Sequence, residues 1–237
     1  MKVLLIDSAT DTFCVALGKG KRVAGEMFFE RPRGQLLFMM PSLMELFRIT
    51  GLSAEEIDFI GVTSGPGSFT GLRLALATAR TIGQVLGRPL VTVNTLDAIA
   101  GNVMPRGDEV VCSALDARRG EIFASFYRVV DGALKSISGY RAFKAAEFAS
   151  AIENLECSRC IITGNALERY EKPAGDAGGV KAVLLPPSYW YPRAPALMAL
   201  ALAGYHGGRA VSCYEASPFY MRKSDAEERQ ERAETTQ

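Results

Sequence analysis

The run Ser64–Arg80, SGPGSFTGLRLALATAR, decides how this chain is to be read. Within it GPGSFTG, residues 65–71, brings three glycines and two hydroxyls to the start of a helix-like segment. That composition suits a loop whose backbone N–H groups converge on an anion. It equally suits a tight turn followed by an N-cap. A dinucleotide fingerprint needs G-x-G-x-x-G, whereas the glycines here are Gly65, Gly67 and Gly71, with Thr70 at the place of the third. A P-loop closes on Gly-Lys-Ser/Thr, and this turn closes on Gly71-Leu72-Arg73. Both standard phosphate motifs fail.

The flanking pattern sets the fold class. The buried-strand run FIGVTS precedes the turn; Gly87, Pro89 and the strand-like PLVTVN follow the helix, and Asp97 suits the first turn of a short helix from Thr95. Upstream, KVLLID, FCVALG and RVAGEMFFE read as three strands, the last two joined by a hairpin around Gly20. GQLLFMMPSLMELFRITG reads as a helix ended by Gly51. Downstream, VVCSAL and IFASFYRVV are strands joined by DARRGE, and helix–strand alternation resumes. This order predicts an α/β protein with mixed sheets flanked by helices. MPRGDE marks a lobe boundary, giving lobes over residues 1–104 and 105–222 and a mobile charged tail over 223–237.

Bulk properties exclude some functions. The chain has 237 residues, 48% hydrophobic and 22% charged, with a formal net charge of +1. That balance lacks the basic excess of a nucleic-acid or membrane binder. No apolar run reaches the roughly 18 to 20 residues that span a bilayer, and the opening MKVLLIDSATD is no signal peptide. Five scattered cysteines argue for a reducing compartment, so the expected location is the cytoplasm. Cys157-Ser158-Arg159-Cys160 has no second ligand pair and precedes a strand, so it reads as buried or incidental thiols. His206, beside Gly207 and Gly208, reads as a helix-end residue.

Two helices attract attention. After the glycine turn, Ala75, Ala77, Ala79 and Gly83 allow close packing, with Arg73, Arg80 and Gln84 on one polar side. In the earlier helix Leu36, Leu37, Met39, Met40, Leu43, Met44, Leu46 and Phe47 cover about half the circumference, wider than the roughly 100° stripe of a one-sided surface helix. Phe38 and Ile49 share the remaining face with Glu45 and Arg48, and Pro41 should kink or start the helix. Methionine-rich excess apolar surface fits a partner-binding face; it also fits a helix sandwiched within its own lobe. The residues alone leave both open.

LLIDSATDTFCVAL, GPGSFTGLRLALATARTIGQVLGRPLVTVNTLDAIA, ALDARRGEIF, YPRAPALMALA and SPFYMR, in that order from about Val3 to Arg222, resemble the TsaB family. That resemblance implies the two-lobe actin-like ATPase (ASKHA, ribonuclease H-like) fold. It implies a non-catalytic subunit of the bacterial machinery that makes N6-threonylcarbamoyladenosine in tRNA. The catalytic paralogue, TsaD, holds ATP and a metal through a His-x-x-x-His motif after the strand matching PLVTV; here those positions are Thr95 and Ile99, so no metal site is expected. No intrinsic cofactor is expected, ATP and metal belonging to the partner. Nucleotide-binding relatives in the superfold carry Asp-x-Gly-x-Thr after the first strand. DSAT keeps Asp7 and Thr10 but has Ala9 for the glycine, so Asp7, Thr10 and Asp116 make at most a vestigial nucleotide site. Family members often carry a histidine where this chain has Gln35.

By the same resemblance the two helices pair with matching TsaD helices in a four-helix bundle. The expected interface is Leu36, Met39, Met40, Leu43, Phe47, Leu72, Arg73, Leu76 and Arg80. Gly65 and Gly67 form the turn that starts the second helix, capped by Ser68 or Thr70. Leu43→Asp or Leu76→Asp would then abolish pairing and leave the monomer folded. Further partners are a TsaE-like ATPase and tRNA held through the complex; without TsaD the same faces are free to form a homodimer. The alternatives are a nucleotide-binding actin-like protein and a glycoprotease-like hydrolase, the latter weakened by a single histidine. DARRGE is either a contact for a partner or tRNA phosphate, or, as favoured, a solvated hairpin tip.

Overall fold

The computed structural model describes residues 1–30, 35–175 and 180–222. The chain opens with β1 (Lys2–Asp7), the middle strand of a five-stranded sheet of order β3-β2-β1-β4-β5. Strands β2 (Thr12–Lys19) and β3 (Arg22–Glu30) run antiparallel to their neighbours, while β4 (Phe59–Gly65) and β5 (Leu90–Asn94) are parallel to β1. Every residue of β1 from Val3 to Asp7 is buried because both sheet faces are covered, which is why the strand reads as a continuous apolar run. Leu4 and Ile6 point into a core with helices α1 (Gln35–Thr50) and α2 (Phe69–Leu86). Val3 and Leu5 point the other way, onto α6 (Ala194–His206).

A second sheet repeats the plan. Strand β6 (Val110–Arg118) pairs antiparallel with β7 (Glu121–Val130) and parallel with β10 (Arg159–Thr163), which pairs parallel with β11 (Lys181–Leu184). Strands β8 (Ala133–Ser136) and β9 (Arg141–Lys144) both pair with β7. Helices α4 (Ala145–Glu153) and α5 (Leu167–Gly175) complete this lobe, Phe148, Ile152 and Leu167 packing on Val110, Cys112 and Ala114. Between the lobes sits α3 (Thr95–Ala100), whose Leu96 and Ile99 share a core with Val111, Leu115 and Phe123.

Two expectations change. The division at residue 105 assigns the whole remainder to the second lobe, yet α6 packs its Ala194, Leu197, Met198 and Ala201 on the first sheet. Its alanine content allows that close seat. Pro41 lies inside α1 and does not begin it.

A carboxylate from another element starts α6. Ala194 N donates to Glu26 Oε1 at 3.0 Å, and Arg193 donates to both Glu26 oxygens at 2.9 and 3.0 Å. The Arg193 guanidinium also lies over the Phe28 ring, 4.5 Å from its centre. Burial pushes the Glu26 carboxyl up, but its bonds from Arg193 and Ala194 outweigh that and hold it below its usual value. Glu26→Ala removes a helix cap and leaves Arg193 unpaired, so we expect a loss of about 2 kcal/mol in urea denaturation.

Candidate functional site

The glycine turn is packed against the chain's own first loop. Ser68 N donates to Ala9 O at 2.6 Å, so a backbone donor that could hold a phosphate is occupied by the first loop of the chain itself. A Cβ on Gly67 would stand 2.1 Å from Ala9 O, and one on Gly71 would stand 1.8 Å from Ser8 O. These glycines seat the start of α2 against the backbone of residues 8 and 9. The Ser68 side chain accepts from Gly71 N at 3.3 Å and is the N-cap, whereas Thr70 is exposed.

The expected vestigial nucleotide residues are used inside their own loops. Asp7 is wholly buried at the end of β1; its Oδ1 accepts from Thr63 Oγ1 at 2.6 Å and Ala9 N at 3.1 Å. Its Oδ2 is buried without a hydrogen-bond partner among the described residues. Burial outweighs the bonds from Thr63, Ala9 and Ser8 and raises the carboxyl to about 6. The Thr10 hydroxyl shares a 2.9 Å hydrogen bond with Thr12. In the other lobe Asp116 accepts from Arg118 N at 2.8 Å and pairs with Arg169 at 3.3 Å. Asp116 thereby shapes the β6–β7 turn, where Arg118 and Arg119 have φ of 60° and 55°. The start of α2 thus lies directly against the Ser8 and Ala9 carbonyls of the first loop.

The positions matching the paralogue's histidines are equally committed to packing. Thr95 and Ile99 are fully buried, and Ile99 fills the core between the lobes. Cys160 is buried in the second core, and burial pushes its thiol up, which suits a packing role for the Cys157–Cys160 pair. His206 ends α6, its ring edge-on to Tyr205. Among the described residues no group of three or more His, Cys, Asp or Glu is placed to hold a metal. No helix among them is long and apolar enough to cross a membrane.

The expected interface divides into two sets. Met39, Leu43, Leu72 and Leu76 are buried in the first lobe's own core, with Phe47 half-buried beside them. They are therefore corrected from interface to core: α1 and α2 lie on the sheet and need these side chains to cover it. Met40 does face outward, and the side chain of Leu36 lies outside the described residues. Arg73 and Arg80 are exposed, but both grip the chain after α6. Arg73 Nε donates to the Tyr220 hydroxyl at 3.4 Å, and Arg80 donates to the carbonyls of Cys213 and Tyr214 at 2.8 and 3.2 Å.

The open surface is the other side of α1. Leu37, Met40 and Met44 are 73%, 51% and 69% exposed, and their spacing puts them on one stripe. Phe38 and Ile49 are exposed on a neighbouring face. Leu37 and Met44 were visible in the sequence as part of an over-wide apolar arc, but periodicity could not tell which half of the arc the sheet would cover.

Residues 36–181 match the family described as "TsaD: tRNA N6-adenosine threonylcarbamoyltransferase". The chain belongs to this family. Its full-length similarity is to TsaB proteins. It is 23% identical to the tRNA threonylcarbamoyladenosine biosynthesis protein TsaB of Bacillus subtilis, covering 96% of each chain. With the protein of that name from Escherichia coli it shares 26% identity over 95% of this chain and 96% of the other. The solved structure of YeaZ from Pseudomonas aeruginosa superposes with a TM-score of 0.80 at 24% identity, over 93% of this chain and 99% of that one. The fold is the two-lobed α/β architecture of the actin-like ATPases.

Proposed function

We propose that this chain is a non-catalytic partner subunit in the formation of N6-threonylcarbamoyladenosine in tRNA. It pairs with a catalytic, metal-dependent TsaD-like member of its own family. The observation that carries this reading is the exposed Leu37–Met40–Met44 stripe. Apolar area of that kind on a lobe with a complete core of its own is what a protein partner covers. The closed first loop and the buried Thr95 and Ile99 support leaving ATP and metal to the partner. Relatives named as tRNA threonylcarbamoyladenosine biosynthesis proteins in Bacillus subtilis and Escherichia coli support the pathway.

In this account tRNA and a TsaE-like ATPase meet the assembled complex in the cytoplasm. In the partner's absence the stripe pairs with a second copy of itself. The test is threonylcarbamoyl transfer onto unmodified tRNA with purified subunits, the modified nucleoside being measured by mass spectrometry. Product requires both this chain and the TsaD-like subunit, and this chain without that subunit gives none. Product from this chain without it would make the chain an enzyme.

A further inference from the structure

After α6 the chain does not simply trail away. Val211 and Leu90 exchange backbone hydrogen bonds of 2.8 and 2.9 Å at the edge of β5, and the segment then runs back along α2. Arg80 holds the carbonyls of Cys213 and Tyr214, and Ala216 is buried in the first core. At the glycine turn, Phe219 N donates to Ser64 O at 2.7 Å, while a Cβ on Gly65 would stand 2.3 Å from Phe219 O. The Tyr220 ring stacks on Phe69 with centroids 5.0 Å apart, and the Arg73 guanidinium lies 3.8 Å from the centre of the Phe69 ring.

The same few residues then reach the second lobe. Met221 packs against the core between the lobes. Arg222 donates to Glu121 Oε2 at 3.0 Å and to Ala117 O at 3.3 Å. The Phe219 ring meets Tyr140 edge-on at 5.6 Å, and the Tyr140 hydroxyl donates to the Asp97 carboxylate at 2.9 Å. One short segment thus joins the first turn of α2 to the β6–β7 hairpin and to Tyr140.

We propose that Ser217–Arg222 is a tie through which the second lobe sets the position of the start of α2, and so of the partner-binding side of the first lobe. The start of α2 rests on the backbone of residues 8–9, the end of β4 just before it is bonded to Phe219, and Phe69 in its first turn stacks on Tyr220, so the turn that starts α2 follows the tie. α2 shares its core with α1 through Leu76, Ala79, Met39 and Leu43, so a displaced α2 displaces the α1 stripe. The tie's side-chain contacts are a partly exposed ion pair, two ring contacts and two hydrogen bonds of 3.3 and 3.4 Å, each modest. Such a segment opens locally without global unfolding. The partner-binding part of the proposal rests on the function proposed above; the mechanical part does not.

The test uses the full chain carrying Arg222→Gln or Tyr220→Ala, with hydrogen exchange of peptides covering residues 64–76 and calorimetric affinity for the TsaD-like subunit. Both variants are expected to speed exchange in that segment by about tenfold with the thermal midpoint nearly unchanged, as for release of a local unit. They are also expected to weaken the partner several-fold. Arg222→Gln decides if Tyr220→Ala fails to fold, because its side chain is partly exposed and its partners lie in the far lobe. Unchanged exchange in the Arg222 variant overturns the tie; faster exchange with unchanged affinity overturns its link to the partner face. Met44→Asp serves as the control on the partner reading. If that variant binds as the unaltered chain does, the α1 stripe is not the partner face, while the exchange result still judges the tie.

Discussion

Leu43→Asp is expected to unfold the protein, and Met44→Asp, one residue on, is expected to leave it folded and unable to pair. Leu43 is 2% exposed in the core shared with Leu4, Ile6 and Leu76, and a carboxylate there has no partner. Burying an unpaired charge while deleting a leucine costs on the order of 5 kcal/mol, as much as the whole stability of many domains. Met44 is 69% exposed, so the same change there shifts stability by about 0.5 kcal/mol or less. It places a charge on the apolar stripe, where pairing would have to desolvate it. Far-UV circular dichroism with sedimentation velocity separates the cases: lost helicity for Leu43→Asp, native helicity without association for Met44→Asp. The opposite pattern would return Leu43 to the interface and Met44 to the core.

Asp7→Asn is expected to stabilise the protein at neutral and alkaline pH. The folded carboxyl is raised from 3.8 to about 6, chiefly by burial. A raised folded value means the folded state holds the proton more tightly. The stabilising contribution is therefore complete below pH 4 and is lost as pH rises through about 6. A displacement of roughly 2 units corresponds to about 3 kcal/mol against folding above that range. Asparagine keeps an oxygen for Thr63 and Ala9 and carries no charge, though its buried NH2 group gives back about 1 kcal/mol. The expected net gain is about 2 kcal/mol at pH 8, turning into a loss of about 1 kcal/mol or less at pH 4, by urea denaturation of both proteins. A variant less stable than the unaltered chain at pH 8 would contradict this account of Asp7.

The α/β alternation, the hairpin at Gly20 and the helix ends at Gly51 and Gly87 were legible because each rests on local chemistry. The failure of both phosphate motifs was legible too, because motif spacing is a property of the sequence alone. What the glycines do instead was not. Their neighbours are the carbonyls of Ser8 and Ala9, brought to them by the parallel pairing of β1 with β4. The buried and open halves of α1 were hidden for a related reason. Met39 and Met40 are alike in sequence, and only the placement of the sheet makes one core and the other surface. Arg73 and Arg80 looked like interface charges because their acceptors, Tyr220 and the carbonyls of Cys213 and Tyr214, lie more than a hundred residues away in the chain.

The measurement that bears most directly on the central claim is reconstituted threonylcarbamoyl transfer with the Met44→Asp chain in place of the unaltered one. The account predicts a folded protein that supports no modified nucleoside at concentrations where the unaltered chain gives full product. Undiminished product with Met44→Asp would contradict it, and would mean that the α1 stripe is not where the catalytic subunit is engaged.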